Sequence, residues 1–207
     1  MLPSRPCLQA ASSLKASFKS AMARVAAPAM ILTAGTALTS DVLHGMTLSS
    51  VNSVSVHPYP LMLFNMHLPS YTSASLHKHG HLALHLMPPT RESVELGRSF
   101  ASGVKQDPSH FKVNSTDGSF KEMTTPFSGF DNYTFYETKE GILVPILNEL
   151  EAAFICKKKT HFEVDDHEIW VVSVENIIRP NKDIQRPSGG ILYFDRGFHR
   201  IGDLLSE

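Results

Sequence analysis

The stretch Gly45–Met66 constrains the fold of this 207-residue chain more than any other part of its sequence. Along Met46–Ser55 polar and apolar side chains alternate, with a slip near Val51. This period-2 pattern predicts a strand with one packed face and one face of small hydroxyl groups. After two prolines, Leu61–Met66 is an almost unbroken apolar run, which is typical of a strand buried on both faces. Small hydroxyl side chains let a ligand approach the backbone and offer it hydrogen bonds, so this strand edge suits a flat polar ligand.

Several segments, taken in order along the chain, resemble the flavin reductase-like, FMN-binding split-barrel family. The central stretch is similar to the family signature at Gly45–Ser50, Ser53–Ser55, Pro58 and Phe64–Asn65. Phe18–Thr33 resembles the family's opening helix and first strand, and Asp166–Ile169 resembles its Gly-Asp-His turn. Leu192–Phe194, with Arg196 and Phe198–Arg200, resembles its closing strand. The resemblance implies a mainly β protein, an antiparallel split β-barrel with a few flanking helices. The domain is expected over residues 14–207, with residues 1–13 as a targeting or disordered tail.

The first 24 residues allow more than one interpretation. They contain four basic residues, five serines and no acid, and the first acidic residue is Asp41. Such a start is typical of a mitochondrial presequence, while a plain disordered tail on a cytoplasmic protein is the alternative. Four apolar residues also recur at helical spacing after a possible N-cap at Ser12 or Ser13, which predicts a packed helix. These four residues are Leu14, Phe18, Met22 and Val25.

A cofactor site follows from the resemblance, with FMN as the ligand and FAD as the alternative. Hydroxyl groups of the barrel edge would hold the ring and ribityl chain. The phosphate would lie at the start of a short helix, capped by Ser70 or Ser73 and closed at Gly80, because free N–H groups and the helix dipole favour an anion there. The residues assigned to this site are Thr47, Leu48, Ser49, Ser50, Ser53, Asn65, Ser70, Thr72, His85, Phe100, His167 and Tyr193.

Some of these assignments carry a structural alternative. His85 stands where the family often has an Asn beside the flavin, and Phe100 would border the flavin or simply pack in the core. His167 would orient the flavin or nicotinamide, or make only a local hydrogen bond in a hairpin. Tyr193 would close one side of the site or only pack. Ser70 and Thr72 would bind phosphate or act only as helix caps.

The resemblance implies that NADH or NADPH delivers a hydride to N5 of FMN. Reduced flavin would then pass electrons to free flavin, oxygen or a partner monooxygenase, and a homodimer is expected. No catalytic side chain is assigned, because the redox chemistry belongs to the cofactor. One alternative is an FMN-binding electron carrier or assembly factor without reductase turnover. Another is a split-barrel protein that binds no flavin.

Four histidines crowd one segment, at positions 77, 79, 81 and 85. Alternate histidines on a strand can share a metal ion. The segment crosses a predicted helix-to-strand junction at Gly80, however, so a common face is not expected, and no metal site is predicted.

Composition and missing motifs exclude other classes. A net charge of −1 gives no basic surface for nucleic acid, and no apolar run approaches the roughly 20 residues of a membrane helix. Two cysteines do not make a disulfide framework. The sequence contains no G-x-G-x-x-G, P-loop, G-x-S-x-G or H-E-x-x-H motif, which argues against Rossmann, NTPase and hydrolase sites.

The remaining elements are predicted as a helix over 91–101, a polar loop with aromatic residues over 107–139 and a turn-helix segment over 142–150. Strands are expected at 151–164, 167–178 and 191–194. The long loop would act as a flap over the ligand, pack on a partner subunit or be pinned to the surface by its rings.

Overall fold

The computed structural model describes residues 5–102, 126–179 and 188–202. Within these residues the elements, in chain order, are α1 (Arg5–Met22), β1 (Ala27–Ala34), β2 (Gly45–Leu48), β3 (Asn52–Ser55), β4 (Leu61–His67), α2 (Tyr71–His79), β5 (His81–Leu86), α3 (Arg91–Ser102), β6 (Tyr133–Glu137), β7 (Leu143–Leu147), β8 (Ala152–Val164), β9 (His167–Ile178), β10 (Ile191–Phe194) and β11 (Gly197–His199). The mainly antiparallel β architecture with a few helices is therefore confirmed.

Nine strands form one sheet in the order β11-β10-β1-β5-β8-β9-β4-β3, with β2 paired to β1. Strand β1 organises the sheet: β10 pairs with its residues 27–29, β2 with 30–33 and β5 with 31–34, so β2 and β5 flank it on opposite edges. The sheet does not close on itself, as expected of a split barrel. Strands β6 and β7 form a separate hairpin.

Successive residues of β1 face two different cores, as the period of a strand requires. Met30 and Leu32 point into the barrel, where they pack with Phe64 and Trp170. Ile31 points to the other side, into a second core. That core also contains residues of α3, of the β6–β7 hairpin and of the segment 126–130.

The central stretch folds largely as its pattern predicts. The slip near Val51 is a break between two strands, β2 and β3, rather than a bulge in one strand. Strand β4 is buried at Phe64 and Met66, but Asn65 between them is exposed, so the expectation of burial on both faces is wrong at that position. Helix α2 is confirmed with Ser70 as N-cap and with Gly80 as C-cap at a left-handed φ of 69°.

Two segments of the middle of the chain differ from expectation. The apolar residues of 143–147 form strand β7 and not a turn-helix segment. The loop expected to reach 139 ends earlier, because Tyr133–Glu137 is strand β6. Phe127 and Phe130 pack on the second core, as rings that pin a surface segment would. The rest of the expected flap, at 107–125, lies outside the described residues.

The first helix is longer and less packed than predicted. It begins at Arg5, so Ser12 and Ser13 lie within it and are not its N-cap. Its apolar stripe is exposed, with Leu14 at 71% and Phe18 at 63%, so the expectation of a packed helix is wrong for the single chain. A targeting role for residues 1–13 stays a prediction.

The described helices include none that is long and apolar enough to cross a membrane.

Candidate functional site

Polar groups lie on the outer face of β4, which points away from the barrel core. Asn65 is exposed on this face. The Ser50 hydroxyl accepts a hydrogen bond from the Asn65 N–H at 3.0 Å and donates one to the Asn65 carbonyl at 3.2 Å. These two bonds tie the segment after β2 to the middle of β4, so Ser50 and Asn65 form one unit of the site.

Two histidines and an aspartate extend this face toward the end of β4. His67 pairs across the sheet with His167, and their rings meet edge to face with centroids 4.8 Å apart. Asp166 lies between them: its Oδ2 accepts from His67 Nε2–H at 3.0 Å and its Oδ1 from His167 Nδ1–H at 2.7 Å. The carboxylate thereby fixes the orientation of both rings.

The turn that presents Asp166 depends on Asp165. Val164 pairs with His167, which leaves Asp165 and Asp166 as a two-residue hairpin loop. Asp165 has a left-handed φ of 52°, a conformation that glycine adopts without steric cost. The turn therefore forms here with an Asp in a conformation that favours glycine.

The start of α2 follows β4 directly. The Ser70 side chain accepts from the Ser73 N–H at 3.2 Å, as an N-cap does. The first turn of a helix presents N–H groups without intrahelical partners and the positive end of the helix dipole. This helix start follows the end of β4 along the chain. The His67–Asp166–His167 cluster lies at the same strand end, where β4 pairs with β9.

A groove of about 520 Å³ lies between the end of α1 and β10. Ser49 and Tyr193 line it, together with Phe18, Phe194 and Arg196. Its volume is in the usual range of about 300–1,000 Å³ for small-molecule sites. Two predicted site residues that lie far apart in the sequence, Ser49 and Tyr193, are thus brought to one largely apolar groove. Its walls also carry the charged side chains of Lys19, Asp195 and Arg196.

Three predicted site residues turn inward. The Thr47 hydroxyl donates to the Gly97 carbonyl of α3 at 2.6 Å, so this side chain joins β2 to α3. Leu48 is buried in the barrel core. Thr72 is 2% exposed, which leaves its hydroxyl no path to a bound phosphate in this structure.

His85 and Phe100 are also interior residues, and their structural alternatives describe them better than cofactor contacts do. His85 is fully buried, donates from Nδ1–H to the Ile31 carbonyl at 2.9 Å and accepts at Nε2 from the Leu147 N–H at 3.3 Å. Phe100 is fully buried in the second core. Neither side chain can contact a cofactor in this arrangement.

Ser53 remains exposed on β3, next to β4 in the sheet.

Sequence reasoning missed His67 and Asp166 as side chains of the site. Their positions in the sequence could have identified them, because His67 ends the central strand and Asp166 directly precedes the histidine of the hairpin turn.

The surface set can bind a flat polar ligand that carries an anionic group. Hydroxyl, amide and imidazole groups supply hydrogen bonds, the groove supplies apolar walls, and the helix start favours negative charge. The members of this set are Ser49, Ser50, Ser53, Asn65, Ser70, His167 and Tyr193.

Comparison with known proteins gives a consistent result. Residues 22–202 match the family described as the flavin reductase like domain. Among solved structures, a flavin reductase domain protein from Arthrobacter sp. FB24 is similar at 21% identity and a TM-score of 0.68, covering 93% of this chain and 99% of that one. The styrene monooxygenase flavin reductase from Pseudomonas putida S12 is similar at 21% identity and 0.64, covering 91% and 99%. An NADH:FAD oxidoreductase from Streptomyces globisporus C-1027, in complex with NAD and FAD fragments, is similar at 21% identity and 0.63, covering 91% and 93%. At these identities the likeness to solved structures concerns the fold.

Proposed function

Because the chain belongs to the flavin reductase-like domain family, we propose that it is a flavin-binding oxidoreductase in which NADH or NADPH reduces FMN or FAD. A flavin bound here would supply the redox chemistry: it would accept a hydride from the nicotinamide and give electrons to free flavin, oxygen or a partner oxygenase. The S. globisporus protein is named as an NADH:FAD oxidoreductase, which supports both the donor and the cofactor class. The P. putida protein is named as the flavin reductase of a monooxygenase, which supports a partner oxygenase as acceptor.

The observation that carries the proposal is the polar outer face that joins β4 to the start of α2. Ser50 and Asn65 are hydrogen-bonded to each other, and His67, Asp166 and His167 extend the same face. A flavin mononucleotide needs hydrogen bonds to its ring edge and ribityl chain and a favourable place for its phosphate. The residues present fit these needs.

Each residue of this face has a role that its geometry allows. Ser49 and Asn65 would supply hydrogen bonds to the ring and ribityl chain, and the N–H groups beside Ser70 would hold the phosphate. Tyr193 would border the ring from the groove. His167, oriented by Asp166, would position the ligand through its second nitrogen, so no side chain has to move a proton.

The visible spectrum of the purified protein under anaerobic conditions tests the proposal. We expect a flavin absorption band that bleaches when NADH or NADPH is added. The double variant Ser49→Ala with Asn65→Ala should bind FMN about tenfold more weakly, because two neutral hydrogen bonds of about 0.5–1.5 kcal/mol are lost. Both side chains are exposed, so the fold should be retained. Ser40→Ala, an exposed serine between β1 and β2, is the matched control.

The two alternatives give different results in the same experiment. A yellow protein that oxidises neither NADH nor NADPH would identify an electron carrier or assembly factor. A colourless protein whose melting temperature does not rise with FMN or FAD would exclude flavin binding, because a ligand of the native state must stabilise it.

We also propose that two copies of the chain pair through α1. The exposed stripe of this helix has three large apolar residues at helical spacing, Leu14, Phe18 and Met22, and exposed Val25 follows just after the helix ends. It continues into exposed Tyr193 and Phe194 of β10 across the groove. A twofold dimer uses the same surface on both subunits, so one apolar helix face supplies both halves of such an interface.

A further inference from the structure

Three side chains with metal-binding groups converge beside the last turn of α2. His77 lies on α2, His161 on β8 and Glu168 on β9, and one ligand atom from each lies within 4.8 Å of the others. His77 Nε2 lies 2.6 Å from Glu168 Oε1. The rings of His77 and His161 meet edge to face, with centroids 4.5 Å apart. The fold thus directs two imidazoles and one carboxylate toward one small volume.

Glu168 is fixed by the contacts of its other oxygen. It is 2% exposed, and its Oε2 accepts from the Ser73 hydroxyl and from Trp170 Nε1–H, the latter at 3.0 Å. His161 stacks on Trp170 with ring centroids 5.0 Å apart. Metal sites use such outer contacts to orient their ligands. Because these contacts occupy Glu168 Oε2, its Oε1 is the oxygen that faces the histidine nitrogens.

The charges of these groups also suit a cation. The Glu168 carboxylate accepts from Ser73 and Trp170 at Oε2, so its Oε1 is held toward the two histidines. Lys158 Nζ lies over the Trp170 ring, 5.0 Å from its centroid, so a bound cation would lie beside this charge. A carboxylate and a neutral imidazole are the forms that bind metal ions. The C-terminal end of α2 adds the negative end of a helix dipole.

We propose that His77, His161 and Glu168 bind a divalent transition-metal ion of the Zn²⁺ class, which pins α2 to the β8–β9 hairpin. Two imidazole nitrogens and one carboxylate oxygen form a zinc-binding set that leaves a fourth position for water. Bonds of about 2.1 Å place tetrahedral ligand atoms about 3.4 Å apart. The His77–Glu168 pair, 2.6 Å apart, would therefore open by about 0.8 Å, and a pair at the 4.8 Å limit would close by about 1.4 Å.

The other two clusters of this kind in the described residues do not support the same inference. In the group His81, Glu140 and Glu175, the Lys157 ammonium already bonds Glu140 and supplies the positive charge. The group His67, Asp166 and His167 belongs to the candidate flavin site.

The single tryptophan of the chain, Trp170, gives a direct readout because both histidine rings contact it. We would titrate the purified protein with Co²⁺, which quenches nearby indole fluorescence, and then add Zn²⁺ as a competitor. We expect saturable quenching that Zn²⁺ reverses. His161→Ala should raise the Kd for Co²⁺ at least about tenfold, since loss of even an outer-shell partner costs about 10–100-fold.

His79→Ala, a histidine variant on the same helix outside the cluster, is the control and should keep the wild-type Kd. Zn²⁺ should also raise the melting temperature of the wild type and of His79→Ala but not of His161→Ala. Glu168→Gln, which keeps an acceptor for Ser73 and Trp170, should lose Co²⁺ binding while remaining folded by circular dichroism. Absence of saturable quenching, an unchanged Kd in His161→Ala, or an equal loss in His79→Ala would overturn the proposal.

Discussion

Acid should destabilise this protein through His85, the fully buried histidine of β5. Its Nδ1–H donates to the Ile31 carbonyl, and its Nε2 accepts from the Leu147 N–H. Nε2 can accept only while the imidazole is neutral. Burial lowers the pKa of His85 from 6.5 to about 4, against a smaller opposing effect of the bond to Ile31.

The sign and size of the effect follow from proton linkage. Below about pH 6.5 the unfolded chain binds a proton that native His85 does not, so stability falls with pH until His85 titrates in the native state near pH 4. The difference of about 2.5 pKa units corresponds to about 3.4 kcal/mol when fully developed. Between about pH 7.5 and pH 4.5 the loss attributable to His85 is about 2.5 kcal/mol.

Urea unfolding followed by Trp170 fluorescence at these two pH values measures the loss. His85→Gln should be less stable than the wild type at both pH values, but its own loss on acidification should be smaller by about 2.5 kcal/mol. Burial also lowers the pKa of His44, and that contribution cancels in the comparison. His57→Gln, at an exposed position, should behave as the wild type. Equal losses in the wild type and His85→Gln would refute the assignment.

The remaining predictions concern stability, reactivity and assembly. Asp165→Gly should raise the free energy of unfolding by about 0.5–1 kcal/mol in urea titrations, because φ at this position is 52°. Gly45→Ala should lower it by about 1–3 kcal/mol, because the new Cβ would lie 2.5 Å from a backbone carbonyl of β1. Cys156 is fully buried, and burial raises the pKa of its thiol; peptide mass spectrometry should find it alkylated only after unfolding. Leu14→Asp should convert the proposed dimer to a monomer in light scattering, whereas exposed Leu38→Asp should not; a Leu14→Asp dimer would rule out pairing through α1.

Local signals in the sequence predicted the elements that depend on neighbouring residues. Helix α2 was recognisable because a capping serine and a left-handed glycine bound it at both ends. The β8–β9 hairpin was recognisable because two polar residues separate two long apolar-patterned runs. Ser50 and Asn65 were found as members of one site through the family signature, and the structure joins them by hydrogen bonds.

The features that the sequence could not predict depend on contacts between distant segments. The alternation of side chains along β2 identifies the two faces of the strand. It does not show that α3 covers the face that carries Thr47. His85 is assigned to the cofactor because it stands where the family often has an Asn. The local sequence does not show that its Nδ1–H donates to the Ile31 carbonyl on another strand. The short apolar run of β7 is compatible with either helix or strand until β6 pairs with it. The partners of His77 come from β8 and β9, so no spacing near His77 revealed them.

Strand β10 hydrogen-bonds to the first residues of β1, with Ala27 opposite Tyr193 and Ala29 opposite Ile191. During synthesis, residues 27–29 must therefore wait for almost the whole chain to leave the ribosome before this edge is covered. Pairing between segments so far apart in the sequence is slow, because the chain loses the entropy of closing a long loop before the stabilising contacts form. The unpaired backbone groups of Ala27 and Ala29 would meanwhile be open to pairing with other chains, whereas Pro28 between them has no N–H to donate, which limits aggregation of the nascent chain through this edge.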